Sequence, residues 1–332
     1  MRLAHLSNAH PEWEKVAERQ KQIDEKLESI YKLPIEEFRK IPYQAPRLSD
    51  HTPVPGQDLT ISVSQVVVRD GTKVGIRIYS PLAVTENHVL FFNIHGGGWT
   101  VGTPQTEEGQ NRMIAVRNNA IVVSVDYRRA PEFPFPYALN DSIDAFNWVR
   151  SNAKALGADP NRIIVGGGSA GANIATVLAH IMRDEGVQGV IGQILNIPVT
   201  CHPDHFPHAQ YEGGSYEQNA FAPIVNASTM RLFWNNYLPN VDTHYWASPL
   251  LSTSLAGLPP TLIQVAGMDP LRDEGIAYAE ALKQSGVNVM LKVYPGMPHA
   301  FYIYPDLGPS VEYLETMVQW IEETTWRPPN KV

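Results

Sequence analysis

Short apolar strands that alternate with helical stretches constrain the fold of this chain more than any other feature. Apolar, β-branched runs predict strands at 61–69, 74–80, 89–94, 121–126, 162–166, 190–197, 261–266 and 289–294. Helical patterns lie at 137–155, 172–185, 273–285 and 309–325. Because parallel strands need crossover connections, the alternation predicts an α/β fold with an eight-stranded, mostly parallel sheet and helices on both faces. The first two strands flank an Asp70-Gly71 turn and are predicted to form an antiparallel hairpin.

Two segments interrupt this alternation. Residues 11–40 are predicted to be helical, and an apolar stripe that includes Trp13 and Ile23 indicates that the helix packs on the rest of the protein. Residues 198–247 place about 50 residues, many of them aromatic, between two strands, which is more than an ordinary connection. We therefore expect a helical cap over the carboxyl edge of the sheet. The predicted division is an N-terminal cap segment at 1–55, a core at 56–197 and 248–332, and a cap insertion at 198–247.

Composition narrows the class of protein. The 26 Lys and Arg residues against 34 Asp and Glu residues give a net charge of −8, which argues against a nucleic-acid partner. The single cysteine, Cys201, excludes an intrachain disulfide. The N-terminus has no apolar stretch of signal-peptide length, and no apolar run is long enough to span a membrane. We therefore expect a soluble, cytoplasmic protein.

A glycine-rich turn between a strand and a helix, in RIIVGGGSAGANIATVLAHIMRD, supports two competing interpretations. Gly166, Gly168 and Gly171 match the dinucleotide-binding pattern G-x-G-x-x-G. Gly167, Ser169 and Gly171 match G-x-S-x-G, the turn that presents a nucleophilic serine. The first interpretation requires an acidic residue after the next strand, but that strand, VIGQILNIP, carries none. The sequence therefore favours the nucleophile.

A nucleophilic serine needs a base and an acid further along the chain. His299 is the only histidine after residue 244, so it is the candidate base. The segment AGMDPLRDEG offers Asp269, Asp273 and Glu274 as the acid. Asp269 directly follows a strand, whereas the other two lie where a helix begins, a common place for acids that only cap it. We predict Asp269 as the acid and keep Asp273 as the alternative.

The loop that follows the strand VLFFNI reads His-Gly-Gly-Gly-Trp at 95–99. Consecutive glycines allow backbone N–H groups to converge on one point, where they stabilise the oxyanion of a tetrahedral intermediate. The N–H of Ala170, directly after the nucleophile, is the expected third donor.

With these motifs in order, the chain from about residue 60 to 320 resembles the hormone-sensitive-lipase-like branch of the α/β-hydrolase esterases. The motifs are HGGGW at 95–99, DYRRAPE at 126–132, GGGSAG at 166–171, DPLRDEG at 269–275 and GMPHAF at 296–301. The resemblance implies an α/β-hydrolase fold with a cap, and it implies roles for six residues. These are Ser169 as nucleophile, Asp269 as acid, His299 as base, and Gly97, Gly98 and Ala170 as oxyanion donors.

The chain departs from the family pattern at four positions near the motifs. Gly168 stands before the nucleophile, where the family usually has Asp. Ala172 and Ala300 stand where it usually has Gly, and Pro298 beside the histidine is less typical. These departures leave every predicted reacting group in place.

Other polar and aromatic residues have competing interpretations. His202, Asp204, His205 and His208 could suggest a metal site, but prolines interrupt the run and the spacing matches no structural zinc site, so we predict no metal. The charged residues of 126–132 are predicted to tie down a loop through ion pairs. Aromatic residues near the cap are predicted to line an apolar substrate pocket. The candidates are Trp99, Phe206, Tyr211 and Trp234.

The sequence therefore predicts a serine carboxylesterase that needs no cofactor. Its predicted partner is a small-molecule ester, of small or medium chain length or aromatic, and we also expect a homodimer. Two alternatives remain. One is a non-catalytic receptor on the same fold, and the other is a lactonase, amidase or acyltransferase of secondary metabolism that uses the same residues.

Overall fold

The computed structural model describes residues 3–42, 44–82, 88–240 and 244–326. Residues 1–2, 43 and 241–243 of the predicted cap, and residues 83–87 and 327–332 of the predicted core, lie outside the described residues. Within these ranges the strands form one eight-stranded sheet with the order β1-β2-β4-β3-β5-β6-β7-β8. The strands are β1 Leu59–Val67, β2 Lys73–Pro81, β3 His88–Ile94, β4 Ala120–Asp126, β5 Ala158–Gly168, β6 Val190–Asn196, β7 Thr261–Met268 and β8 Val289–Pro298.

The sheet is mostly parallel. β1 pairs antiparallel with β2, and β2 antiparallel with β4, whereas every other neighbouring pair is parallel. The parallel strands therefore end at one edge of the sheet, and the loops that follow β3, β5, β7 and β8 meet there. The predicted fold class and the N-terminal hairpin are confirmed.

Helices cover both faces of the sheet. They are α1 Pro11–Tyr31, α2 Ile35–Phe38, α3 Glu108–Arg117, α4 Tyr137–Ser151, α5 Ala170–Asp184, α6 Ser215–Gln218, α7 Ala227–Tyr237, α8 Arg272–Gln284 and α9 Gly308–Thr325. Alternate residues of β3 enter different cores: Leu90 and Phe92 pack with α4 and α5, while Val89 and Phe91 pack with α3 and α9. Both faces of the sheet are therefore buried, which explains why its central strands read as continuous apolar runs.

The predicted N-terminal helix is interrupted. α1 ends at Tyr31 and α2 begins after Pro34, because proline disfavours helical geometry in the preceding residue. Trp13 is buried and packs edge-to-face on Tyr304, as expected of a docked helix. Ile23 is 38% exposed, so its predicted place in the docked stripe is wrong.

The sequence pattern did not predict helix α3. Its sequence, EGQNRMIAVR, buries Glu108 and Asn111 together with Ile114 and Ala115. An apolar stripe is the usual sign of a packed helix, but half of the side chains that α3 buries are polar.

Candidate active site

Ser169 lies between the last residue of β5 and the first residue of α5, in a strained backbone conformation with φ 54° and ψ −118°. A Cβ on Gly167 or on Gly171 would collide with the carbonyl oxygen of Ile94 at the end of β3. The G-x-S-x-G pattern therefore has a steric origin, since β3 and the turn approach too closely for any side chain at either glycine.

Ser169, His299 and Asp269 come together at the carboxyl edge of the sheet. His299 Nε2 lies 3.0 Å from Ser169 Oγ, and His299 Nδ1 lies 2.7 Å from Asp269 Oδ2. Both separations are hydrogen-bond distances, and they link the hydroxyl, the imidazole and the carboxylate in one line. All three side chains are buried, so the surrounding protein holds them away from bulk water.

The structure brings Asp269, and not the alternative Asp273, to the histidine. Asp269 Oδ1 accepts a hydrogen bond of 2.8 Å from the Leu271 N–H, which leaves Oδ2 for His299. Asp273 instead contacts Arg272 at 2.6 Å and accepts the N–H of Ser215 at 2.9 Å. Asp273 thus connects α8 to α6 of the cap insertion.

The glycine loop adopts backbone conformations that only glycine takes easily. Gly97 and Gly98 have φ angles of 118° and 56°, and a Cβ on Gly97 would collide with the carbonyl of Val101. Within the described ranges, the N–H groups of Gly97, Gly98 and Ala170 have no hydrogen-bond acceptor. They are therefore available to an oxygen atom of a bound molecule.

Phe233 of α7 covers this loop from the cap insertion. A Cβ on Gly98 would overlap its ring, so ring and backbone are in direct contact. The ring of Phe233 also packs edge-to-face on Tyr31 at the end of α1. Sequence reasoning missed Phe233, and the only available signal was its place among the aromatics of the insertion.

His95 and Glu107 are buried beneath the glycine loop and contact its backbone. The His95 ring stacks on Tyr127 with centroids 4.2 Å apart, and burial lowers its pKa to about 3, so the imidazole stays neutral. Glu107, directly before α3, accepts the N–H of Gly96 at 3.0 Å, and burial raises the pKa of its carboxyl to about 7. Sequence reasoning missed Glu107, because helix α3 was not predicted and the contact with Gly96 forms only in the folded chain.

The aromatics predicted to bind substrate occupy two environments. Trp99 and Trp234 are completely buried and belong to a cluster in which Trp99 stacks on Tyr237 with centroids 4.0 Å apart. Phe206 lines a small cavity of about 50 Å³, and Tyr211 packs partly buried against the core. A role for any of the four in substrate binding stays a prediction.

A cavity of about 160 Å³ lies between the N-terminal helices and α7. Its walls include Tyr31, Phe38 and Phe233, together with Thr100 from the segment after the glycine loop. Phe233 is the side chain that both lines this cavity and touches Gly98 of the glycine loop.

The charged residues of the 126–132 segment form ion pairs, as predicted. Arg128 contacts Asp141 and Asp70, each at 2.7 Å. Arg129 pairs with Asp126 within the segment, and Glu132 pairs with Arg39 just after α2. The last pair ties the N-terminal segment to the loop that follows β4.

The histidine run of the cap insertion is occupied by other contacts. The Asp204 carboxylate pairs with Arg231 at 3.0 Å, and the ring of His202 packs on Trp234. No group of three or more His, Cys, Asp or Glu side chains in the described ranges is arranged to hold a metal ion.

A serine on a strained turn after the central strand β5 of a mostly parallel sheet, with an acid after β7 and a histidine after β8, defines the class of α/β hydrolases. The profile of the family described as "alpha/beta hydrolase fold" matches residues 91–303. The chain belongs to this family, in its hormone-sensitive-lipase-like carboxylesterase branch.

Among similar proteins, carboxylesterase NlhH of Mycobacterium tuberculosis is 41% identical over 244 residues, which cover 72% of this chain and 74% of that protein. The crystal structure of EstE1, a thermostable carboxylesterase from a metagenomic library, matches with a TM-score of 0.76 and 33% identity, covering 82% of this chain and 92% of its own. The crystal structure of vibralactone cyclase matches with a TM-score of 0.80 and 27% identity, covering 97% of each chain.

These relatives identify the chain as a hydrolase that acts on ester bonds. Among the described residues, no helix combines the length and the apolar character that crossing a lipid bilayer requires.

Proposed function

We propose that this protein is a serine carboxylesterase in which Ser169 is the nucleophile, His299 the base and Asp269 the orienting acid. The observation that carries the proposal is the unbroken line of hydrogen-bond distances, 3.0 Å from Ser169 Oγ to His299 Nε2 and 2.7 Å from His299 Nδ1 to Asp269 Oδ2. Asp269 would keep the imidazole proton on Nδ1, which leaves Nε2 free to accept the serine proton.

The reaction has two halves. Ser169 Oγ attacks the carbonyl carbon of the ester while His299 Nε2 takes the hydroxyl proton. The tetrahedral intermediate collapses, the bond to the alcohol oxygen breaks, and His299 returns the proton to the departing alcohol. Water then attacks the acyl-enzyme with the same proton transfers, which releases the carboxylic acid and restores the serine.

The oxyanion of each tetrahedral intermediate would be bound by the N–H groups of Gly97, Gly98 and Ala170. Their lack of an acceptor among the described residues supports this role. Fixed donors of this kind stabilise charge that develops in the transition state without reorganising, and each contributes about 10²–10³ in kcat.

We propose esters of small or medium chain length, including aromatic ones, as substrates. The cavity that Phe233 lines has about 160 Å³, and an apolar cavity of about 150 Å³ can hold a benzene molecule. This volume suits a short acyl chain or a single ring. The proposed cap comprises residues 1–55 and 198–247, whose aromatics Tyr31, Phe38 and Phe233 line the cavity.

The experiment that tests the mechanism is hydrolysis of p-nitrophenyl esters from acetate to dodecanoate by the wild type and by Ser169→Ala. We expect turnover with the short and medium esters and a loss of at least about 10³-fold in kcat for the variant. Full activity in Ser169→Ala would contradict the nucleophile. A steady rise of activity up to the longest ester would contradict the proposed substrate size.

A second candidate is lactone chemistry with the same serine, and the match to vibralactone cyclase over 97% of each chain favours it. An acyl-enzyme can be released by an internal hydroxyl as well as by water. Mass spectrometry of products from a panel of esters, lactones and amides distinguishes these outcomes. Tight binding of a small molecule with no turnover of any panel member would instead indicate a receptor.

A further inference from the structure

We propose that Glu107 is a positioning residue that holds the glycine loop against the nucleophile turn. Its carboxylate accepts a hydrogen bond from the Gly96 N–H and fills the space beside Gly168. It therefore connects the glycine loop and the nucleophile turn, the two backbone segments that supply the proposed oxyanion donors. This inference rests on the proposed esterase function and adds a residue to it.

The contact with Gly96 fixes the backbone directly before the proposed oxyanion donors Gly97 and Gly98. Glu107 Oε1 accepts the Gly96 N–H at 3.0 Å, and Gly96 immediately precedes Gly97 and Gly98. Fixing the peptide N–H of Gly96 restricts the rotation of the chain that leads into the donors. Glycines allow that rotation more freely than any other residue, so the loop needs an external contact to keep its N–H groups aligned.

The same carboxylate lies against the nucleophile turn. A Cβ on Gly168 would be 3.4 Å from Glu107 Oε1 and 3.1 Å from Tyr302 Oη. A Cβ on Gly96 would be 3.0 Å from the carbonyl oxygen of Gly168. The loop after β3 and the turn after β5 thus meet at one point, and Glu107 occupies the corner between them.

Stability alone does not explain this carboxylate. Glu107 is 4% exposed, and its Oε2 has no hydrogen-bond partner in the described part of the chain. Burial raises the pKa of this carboxyl more than a hydrogen bond from the side chain of Asn93 lowers it, and no cation of the described residues pairs with it. A buried acceptor that lacks a partner costs free energy of folding.

Glu108, the next residue, provides the contrast. It pairs with Arg77 and Arg112 and accepts the hydroxyl of Tyr79 at 2.6 Å. Glu108 therefore has the contacts of a structural acid and none to the glycine loop. It is the matched control for Glu107.

The first experiment compares Glu107→Ala, Glu107→Gln and Glu108→Gln by steady-state kinetics and thermal unfolding. For Glu107→Ala we expect kcat to fall about 10- to 100-fold with KM within threefold, because misaligned donors weaken only the transition state. Glu107→Gln keeps an oxygen that can accept the Gly96 N–H and should recover most of kcat. Glu108→Gln should lower the melting temperature and leave kcat within twofold.

The second experiment moves the carboxylate from position 107 to position 168 on the nucleophile turn. Gly168 ends β5 with a φ outside the left-handed region, so its backbone accepts a side chain. Gly168→Asp alone places two carboxylates together and should lower kcat. In the Glu107→Ala background the same substitution places one carboxylate in the vacated space, so the double variant should exceed Glu107→Ala in kcat.

Two results would overturn the inference. One is a Glu107→Ala enzyme that melts at a lower temperature with unchanged kcat, and the other is a double variant with a kcat no higher than that of Glu107→Ala. A wild type without activity on any ester would instead contradict the proposed function. The rate at which p-nitrophenyl diethyl phosphate labels Ser169, followed by mass spectrometry, would then compare the same variants, because that reaction needs the same aligned donors. Equal labelling rates in the wild type and Glu107→Ala would also overturn the inference.

Discussion

The carboxyl edge of the sheet and the cap insertion are held in place by different means. At the sheet edge, backbone sterics set the geometry. A Cβ on Gly167 or on Gly171 would collide with the carbonyl oxygen of Ile94, and Ser169 between them has a strained backbone conformation. In the insertion, side-chain packing sets it, with Phe233 pressed on Gly98 and supported by Tyr31. Steric requirements of the backbone select particular residues, whereas packing accepts many apolar side chains of suitable volume. The sheet edge can therefore be recognised in the sequence by its motifs, whereas the packing of the insertion cannot.

The largest effect should come from Asp269 on the loop after β7, compared with Asp273 in the first turn of α8. We expect Asp269→Asn to lower kcat by about 10⁴-fold, because an amide in place of the carboxylate favours the wrong imidazole tautomer. Asp273→Asn weakens the contact with Arg272 and should lower the melting temperature, with kcat reduced less than tenfold. Steady-state kinetics and thermal unfolding of both variants test this difference, and comparable losses of kcat would contradict the assignment of Asp269.

The next prediction tests whether the cap insertion supports the chemistry. Phe233→Ala removes a ring that touches Gly98, and we expect kcat to fall about tenfold and the free energy of unfolding by about 3–5 kcal/mol. Phe221→Ala is the matched control in the same insertion, since its ring is 96% exposed. The control should change neither quantity measurably. An equal kcat in both variants would show that the ring contributes only to stability.

The smallest effect concerns the pH dependence of stability. The pKa of Glu107 is raised from 4.5 to about 7 by burial, so folding favours its protonated form. Its contribution to stability is greatest below about pH 4.5 and is lost as the pH rises through about 7. Glu107→Gln lacks this titration. Its free energy of unfolding relative to the wild type should therefore rise by up to about 3 kcal/mol between pH 5 and 8.

Urea unfolding of the wild type and Glu107→Gln at several pH values measures this difference. Glu108→Gln serves as the control. A difference between wild type and Glu107→Gln that stays constant with pH would mean that Glu107 does not titrate in this range.

Much of the fold and the centre of the site could be predicted from the sequence. The strand–helix alternation predicted the sheet, and G-x-S-x-G with the later Asp269 and His299 predicted the three residues that the structure brings together. These signals are local because each depends on one strand, one turn or one pattern of burial. The polar helix α3 was missed, since its buried Glu108 contacts the distant residues Arg77 and Tyr79. The break of the N-terminal helix was also missed, although Pro34 is a local signal for it.

The sequence alone determined which chemistry this chain could carry: a serine on a glycine-rich turn, one later histidine and a short list of acids. Only the tertiary structure places Asp269, rather than Asp273, beside His299, and only it brings Glu107 to Gly96 and Phe233 to Gly98. The physical reason is the separation along the chain over which each effect acts. Backbone strain and strand patterning act between neighbouring residues, whereas hydrogen bonds and ring contacts that align the site join segments far apart in the chain.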